Sequence, residues 1–124
     1  MVKFDHMSMP VANPEVSRDW YVRNFGFQVE FEVPERNTIA IKDDADFTIF
    51  LYRPAGDIAD VKCGLTLQVR DVDGKYRELH ERGITFVNPP GKHFWGYGAE
   101  LNDPDGYLVM LWDEVSMREK GGAP

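Results

Sequence analysis

The chain has 124 residues, 43% of them hydrophobic, with 14 Lys and Arg against 21 Asp and Glu for a formal net charge of -7. That length suits one compact domain whose apolar content closes a core without disulfides or metal staples. Scattered basic residues in an acidic chain give no footprint for a phosphate backbone, which argues against nucleic acid as a partner and mildly favours neutral or cationic ligands.

The first ten residues carry Lys3, Asp5 and His6, so they hold no uninterrupted apolar leader, and a cytoplasmic location is expected. The longest apolar runs, such as Tyr107 to Trp112, fall far short of the roughly 20 residues that cross a bilayer, so no membrane span is expected. Phe4 to Val11 reads as a strand that breaks at Ala12-Asn13-Pro14-Glu15. Asn13 can cap a helix, Pro14 fits its first turn and Glu15 complements its dipole. Val16, Trp20, Tyr21 and Phe25 recur at helical spacing, and Gly26 suits a left-handed C-terminal position. Three strands follow, Phe27 to Val33, Thr38 to Lys42 and Phe47 to Arg53, with a turn at Asp43 to Asp46.

After a linker over Pro54 to Val61 the same order returns. Cys63 to Val69 is a strand, Asp71 or Asp73 caps a second helix with Val72, Tyr76 and Leu79 inward, and Gly83 closes it. Strands are expected at Ile84 to Val87, Gly98 to Asn102 and Tyr107 to Trp112, the last two joined by the turn Asp103-Pro104-Asp105-Gly106. The fold class is therefore α+β, built from two βαβββ modules over residues 3–53 and 62–115 of one domain spanning 1–116, with 117–124 as a frayed tail. A ferredoxin-like βαββαβ arrangement is the competitor, and three strands after each helix argue against it. The single Cys63 cannot form an intramolecular disulfide and reads as a small buried hydrophobe.

Strand alternation sorts the side chains into two faces. Met7, Met9 and Val11, Ile49 and Leu51, Leu65, Leu67 and Val69, and Val109 and Leu111 form an apolar set expected to pack on the helices. The opposite set includes His6, Ser8, Thr48, Phe50, Tyr52, Gly64, Thr66, Gln68, Met110 and Trp112. That mixture of aromatic, small and hydrogen-bonding groups suits a small-molecule cavity, although an ordinary half-exposed sheet surface or a dimer contact would use similar residues.

Three pieces in this order, the opening FDHMSMPV, the helix end Asn24-Phe25-Gly26-Phe27 and the terminal DPDGYLVMLW, resemble the vicinal oxygen chelate superfamily. That superfamily includes glyoxalase I, extradiol dioxygenases, fosfomycin resistance enzymes and bleomycin-binding resistance proteins. The resemblance implies paired βαβββ modules in an open, curved mixed sheet around a ligand cup, often completed across a homodimer. It also implies, in the enzymes, a divalent metal held by four strands. By motif register His6 takes the first ligand position, but Phe50, Gly64 and Met110 fall on the other three, and phenyl, hydrogen and thioether do not replace oxygen or nitrogen donors. No cofactor is expected. The alternative is a displaced divalent metal beside His6, with Glu100, His93, Asp113 or Glu114 brought in by a shifted register.

His80 lies among Arg77, Glu78, Glu81 and Arg82 and reads as surface. His93 and Trp95 belong to an aromatic, glycine-punctuated loop, Pro89 to Gly98, which reads equally as a lid over a cavity or as a structural cover pinned by Phe94 and Trp95. Two functions follow from the resemblance. One is a metal-free binding protein of the kind that confers antibiotic resistance, holding an aromatic or cationic compound with His6, Thr48, Phe50, Tyr52, Thr66, Gln68, His93, Trp95, Met110 and Trp112. The other is a metal-dependent lyase, isomerase or oxygenase in which His6, Glu100 or Glu114 acts in catalysis.

Overall fold

A computed structural model describes residues 2–58 and 60–122. The chain forms two compact units divided at the Lys62–Cys63 junction. Each is an α+β layer with its own four-stranded mixed sheet.

In the first unit, β1 (His6–Pro10) leads into α1 (Pro14–Phe25), followed by β2 (Gln28–Val33), a 3-10 turn (Pro34–Arg36), β3 (Thr38–Lys42) and β4 (Thr48–Tyr52). The strand order is β1-β4-β3-β2, with β1 parallel to β4 and the other pairs antiparallel. In the second unit, β5 (Gly64–Gln68), α2 (Val72–Glu81), β6 (Phe86–His93), β7 (Gly96–Asn102) and β8 (Leu108–Trp112) repeat the plan as β5-β8-β7-β6, again with the first pair parallel. The repetition reaches individual bonds. The Val11 amide donates to the Tyr52 carbonyl at 2.8 Å, and the Val69 amide donates to that of Trp112 at 2.8 Å. The Asp43 Oδ1 accepts from the amides of Ala45 and Phe47, and the Asp103 Oδ1 accepts from those of Asp105 and Tyr107. Three residues on from each, Asp46 and Gly106 carry left-handed φ values of 62° and 85°.

Local chemistry explains the helix starts. Asn13 accepts from the amides of Glu15 and Val16, and Gly26 closes α1 at φ 72°. α2 begins differently from the sequence expectation: Asp71 holds the cap position without a side-chain bond, while the distant Asp113 Oδ2 accepts from the Val72 amide at 2.7 Å. The same carboxylate, through Oδ1, caps a third helix, α3 (Glu114–Lys120), at the Ser116 amide. The tail expected over 117–124 is therefore helical as far as Lys120; its last residues, 123–124, lie outside the described set. The Met117 thioether lies against Gly96 and accepts from the Tyr97 amide, and Lys120 reaches Asp73, which also accepts from the Tyr97 hydroxyl at 2.8 Å. These side-chain contacts hold a seven-residue helix too short to be stable alone.

Cores sit between each helix and one face of its sheet. Met9, Val11, Ile49, Leu51, Leu65, Val109 and Leu111 are buried there, whereas Met7 is 39% exposed and Leu67 and Val69 are half-buried. The buried face of α1 also differs from the expected stripe: it consists of Pro14, Ser17, Tyr21 and Asn24. The fully buried Tyr21 sets the phase, and the positions one turn either side of it are Ser17 and Asn24, which leaves Val16 50% exposed. Cys63 is half-buried rather than enclosed, and burial together with the nearby Asp103 charge pushes its thiol pKa up. A thiol so placed holds less of the nucleophilic thiolate.

The largest departure is in the second unit. β6 runs to His93 rather than ending at Val87, and β7 starts at Gly96, so the expected lid segment is a β-hairpin turning at Phe94 and Trp95. Irregularities between Phe86 and Asn88 and between Asn88 and Gly91 absorb Pro89 and Pro90, which cannot donate to a regular ladder. Phe94 points fully into solvent and pins nothing.

Candidate functional site

Each sheet has a face turned away from its helix, and the residues singled out by strand parity lie mostly on these faces. In the first unit, His6 aligns with Thr48, Ser8 with Phe50 and Pro10 with Tyr52 across the parallel β1/β4 pair. The imidazole of His6 stacks on the ring of Phe50, with centroids 3.8 Å apart and planes 13° from parallel. Phe31 meets Phe50 edge-on at 5.4 Å. Phe31 reaches that position because the β2/β3 register shifts between Val29 and Phe31, which brings Phe31 opposite Ala40, itself opposite Phe50. The neighbouring Glu30 accepts from the Thr48 hydroxyl at 2.8 Å. The result is a face-to-face stack of His6 on Phe50, with Phe31 edge-on to Phe50 and a carboxylate–hydroxyl pair nearby.

The His6 Nδ1 faces the exposed Asp5 carboxylate at 2.9 Å. With Nδ1 carrying the proton toward Asp5, Nε2 is left as an acceptor for a ligand donor. Stacking on Phe50 fixes the plane of the ring, and this packing, more than the solvent-screened bond to Asp5, holds the imidazole in place.

In the second unit, Thr66 lies opposite Met110 and Gln68 opposite Trp112, and Met110 in turn lies opposite Glu100 on β7. Thr66, Met110 and Glu100 thus form one row across three strands. A Cβ at Gly64 would come 4.0 Å from the Met110 methyl, which places Gly64 beside that row. Glu100 is not isolated: the Asn88 side-chain amide donates to its Oε1 at 2.9 Å, and the His93 Nδ1 stands 3.8 Å from the same oxygen. The His93 Nε2 donates to the Gly98 carbonyl at 3.1 Å, and the ring stacks on Trp95 at 5.3 Å. Trp95 covers Gly98, where a side chain would overlap its ring, and its buried Nε1 has no hydrogen-bond partner among the described residues.

The metal expectation is tested by the donor chemistry of these faces. The residue stacked on His6 is a phenyl ring, and the row in the second unit has a thioether where the resemblance implies a carboxylate. Among the described residues no three His, Cys, Asp or Glu side chains gather as they would to hold an ion. The side chains present do not fit the family's metal. Of the residues offered for a displaced site, Asp113 is buried and spends both oxygens on helix amides, and Glu114 is exposed in the first turn of α3 rather than on a sheet face. Glu100 and His93 are brought together. Sequence reasoning missed Glu30, Phe31 and Asn88, each of which reaches its face next to a register shift that period-two alternation does not reveal.

With this geometry in view, residues 3–111 match the family described as the Glyoxalase/Bleomycin resistance protein/Dioxygenase superfamily. The chain belongs to that superfamily. Among solved structures it is similar to a superfamily member from Sphaerobacter thermophilus DSM 20745, at 27% identity and a TM-score of 0.73, covering 91% of this chain and 98% of that one. It is also similar to TnmS3, an antibiotic-binding protein from Streptomyces sp. CB03234, at 27% identity and a TM-score of 0.75, covering 91% and 96%. A lactoylglutathione lyase from Agrobacterium tumefaciens shares the fold at 14% identity and a TM-score of 0.71, covering 91% and 94%. Comparison with curated proteins finds no match. The fold is thus shared by an antibiotic-binding protein and by a lyase, and the choice between binding and catalysis for this chain rests on its own side chains.

Proposed function

We propose that this superfamily member is a cytoplasmic homodimer that binds a planar aromatic, preferably cationic, small molecule without a metal. The observation that carries the reading is the His6–Phe50 stack, which fills the neighbourhood of the family's first metal ligand with an aromatic surface. Stacking and apolar burial supply affinity; His6, Thr48 and Tyr52 offer orienting hydrogen bonds on the first sheet face, and Thr66 and Gln68 offer them on the second. Met110, Trp112, His93 and Trp95 contribute the apolar and aromatic contacts of the second sheet. Glu30, Glu100 and a net charge of -7 favour a cation. The similarity to an antibiotic-binding protein supports a ligand of that kind.

The pairing of Glu100 with His93 and Asn88 favours one second reading, an enzyme in which Glu100 is a base and a divalent metal sits away from the family's usual position. Elemental analysis of untagged protein separates the two. The binding reading predicts substoichiometric transition metal, unchanged in His6→Ala. About one equivalent per chain contradicts it and favours the enzyme reading.

A further inference from the structure

The first unit holds a second concavity, on the opposite side of its sheet from the His6–Phe50 stack. Glu32 lies opposite Ile39, and Ile39 opposite Leu51, so all three share the face packed on α1, whereas Phe50 and Ala40 share the other. Beside that helix-side face, where α1 begins, is a cavity of about 320 Å³ whose walls include Pro14, Glu15, Arg18, Glu32, Ile39 and Arg53.

Its charges are unequally committed. Arg18 donates through Nε to Asp19 at 2.9 Å and through Nη1 to Glu32 at 2.5 Å, so this guanidinium and the Glu32 carboxylate neutralise each other within the wall. Among the described residues the Arg53 guanidinium and the Glu15 carboxylate have no hydrogen-bond or ion-pair partner. The first amides of α1 are not available to an anion either, because the Asn13 Oδ1 already takes those of Glu15 and Val16. What the cavity offers is therefore one free cation, one free anion and an apolar wall formed by Pro14 and the nearly buried Ile39.

We propose that this cavity is a binding site for a free α-amino acid with an aliphatic side chain. The planar Arg53 fork takes the carboxylate in two parallel hydrogen bonds, Glu15 takes the ammonium, and the hydrocarbon lies on Pro14 and Ile39. The Arg18–Glu32 pair stays intact and closes one wall. The volume stands at the small end of ligand sites, which suits a ligand of this size.

The test is an NMR titration of the isotope-labelled full chain with leucine, leucine amide and N-acetyl-leucine, repeated in Arg53→Gln and Glu15→Gln. The proposal predicts saturable shifts for leucine at the amides of residues 12, 13 and 15–18, Ile39 and Arg53. It predicts affinity about tenfold or more lower for leucine amide and for Arg53→Gln, and a loss for N-acetyl-leucine that Glu15→Gln does not deepen. Absence of saturation with leucine, equal binding of leucine and either blocked form, or shifts confined to His6, Ser8 and Phe50 overturns it. The ligand comparison on unmodified protein decides the question even if a variant fails to fold. Because the cavity lies behind the sheet, failure here leaves the reading of the His6–Phe50 face standing.

Discussion

Asp113 shows how one side chain can do two structural tasks. Burial alone would push its carboxyl pKa up, but the amides of Ser116 and Val72, with the Lys120 charge, outweigh that and hold it below the usual carboxylate range. A depressed folded-state pKa means that the stabilisation is fully present above the unfolded value near about pH 4 and is lost as pH falls through the folded value. Asp113→Ala should cost about 2–4 kcal/mol, because it strands a buried amide at the start of α2 and removes the cap of α3. Urea unfolding of Asp113→Asn and the parent between about pH 6 and pH 3 checks the linkage: the parent loses more stability over that interval. An equal loss in both would assign the acid sensitivity to other groups. His6 belongs to a different kind of residue, half held by packing on Phe50 and half open, which is the state expected of a group that meets a ligand.

At the scale of elements, the strength of local signals decided what could be read in advance. Asn13-Pro14-Glu15 and Gly26 bracket α1, and the paired Asp43 and Asp103 turns mark the repeat, because each works through bonds to its own near neighbours. β6 runs past its expected end at Val87 because bulged pairing with β7 accommodates Pro89-Pro90, and alternation alone does not reveal such a pairing. α3 was invisible because its seven residues, beyond the local Asp113 cap, depend on Met117 and Lys120 meeting distant partners. The faces were legible by alternation at His6, Thr48, Phe50, Thr66 and Met110, and illegible at Glu30, Phe31 and Asn88, where register shifts intervene. The β6/β7 hairpin also carries a sharp steric constraint. A methyl at Gly98 would overlap both the Leu111 carbonyl oxygen and the Trp95 ring, so β7 approaches β8 closely only because that position lacks a side chain. Gly98→Ala should destabilise the chain by about 1–3 kcal/mol. Thermal unfolding followed by tryptophan fluorescence measures this, and an unchanged midpoint would contradict the packing described for the hairpin.

For the molecule as a whole, superfamily membership fixes the architecture, and the side chains on the two open faces distinguish this chain within it. No described helix is long and apolar enough to cross a membrane. What remains is a pair of sheet faces carrying aromatic rings and a few hydrogen-bonding groups, one of them centred on a histidine stacked on a phenylalanine. The central claim is that this stack is a binding surface. It is tested most directly by titrating the protein and its Phe50→Ala variant with proflavine, a planar cationic tricycle, reading tryptophan quenching and confirming by circular dichroism that the variant is folded. The account predicts saturable binding by the parent and affinity lower by about tenfold or more in Phe50→Ala. Equal affinity in the two proteins, or no binding by the parent, would contradict it.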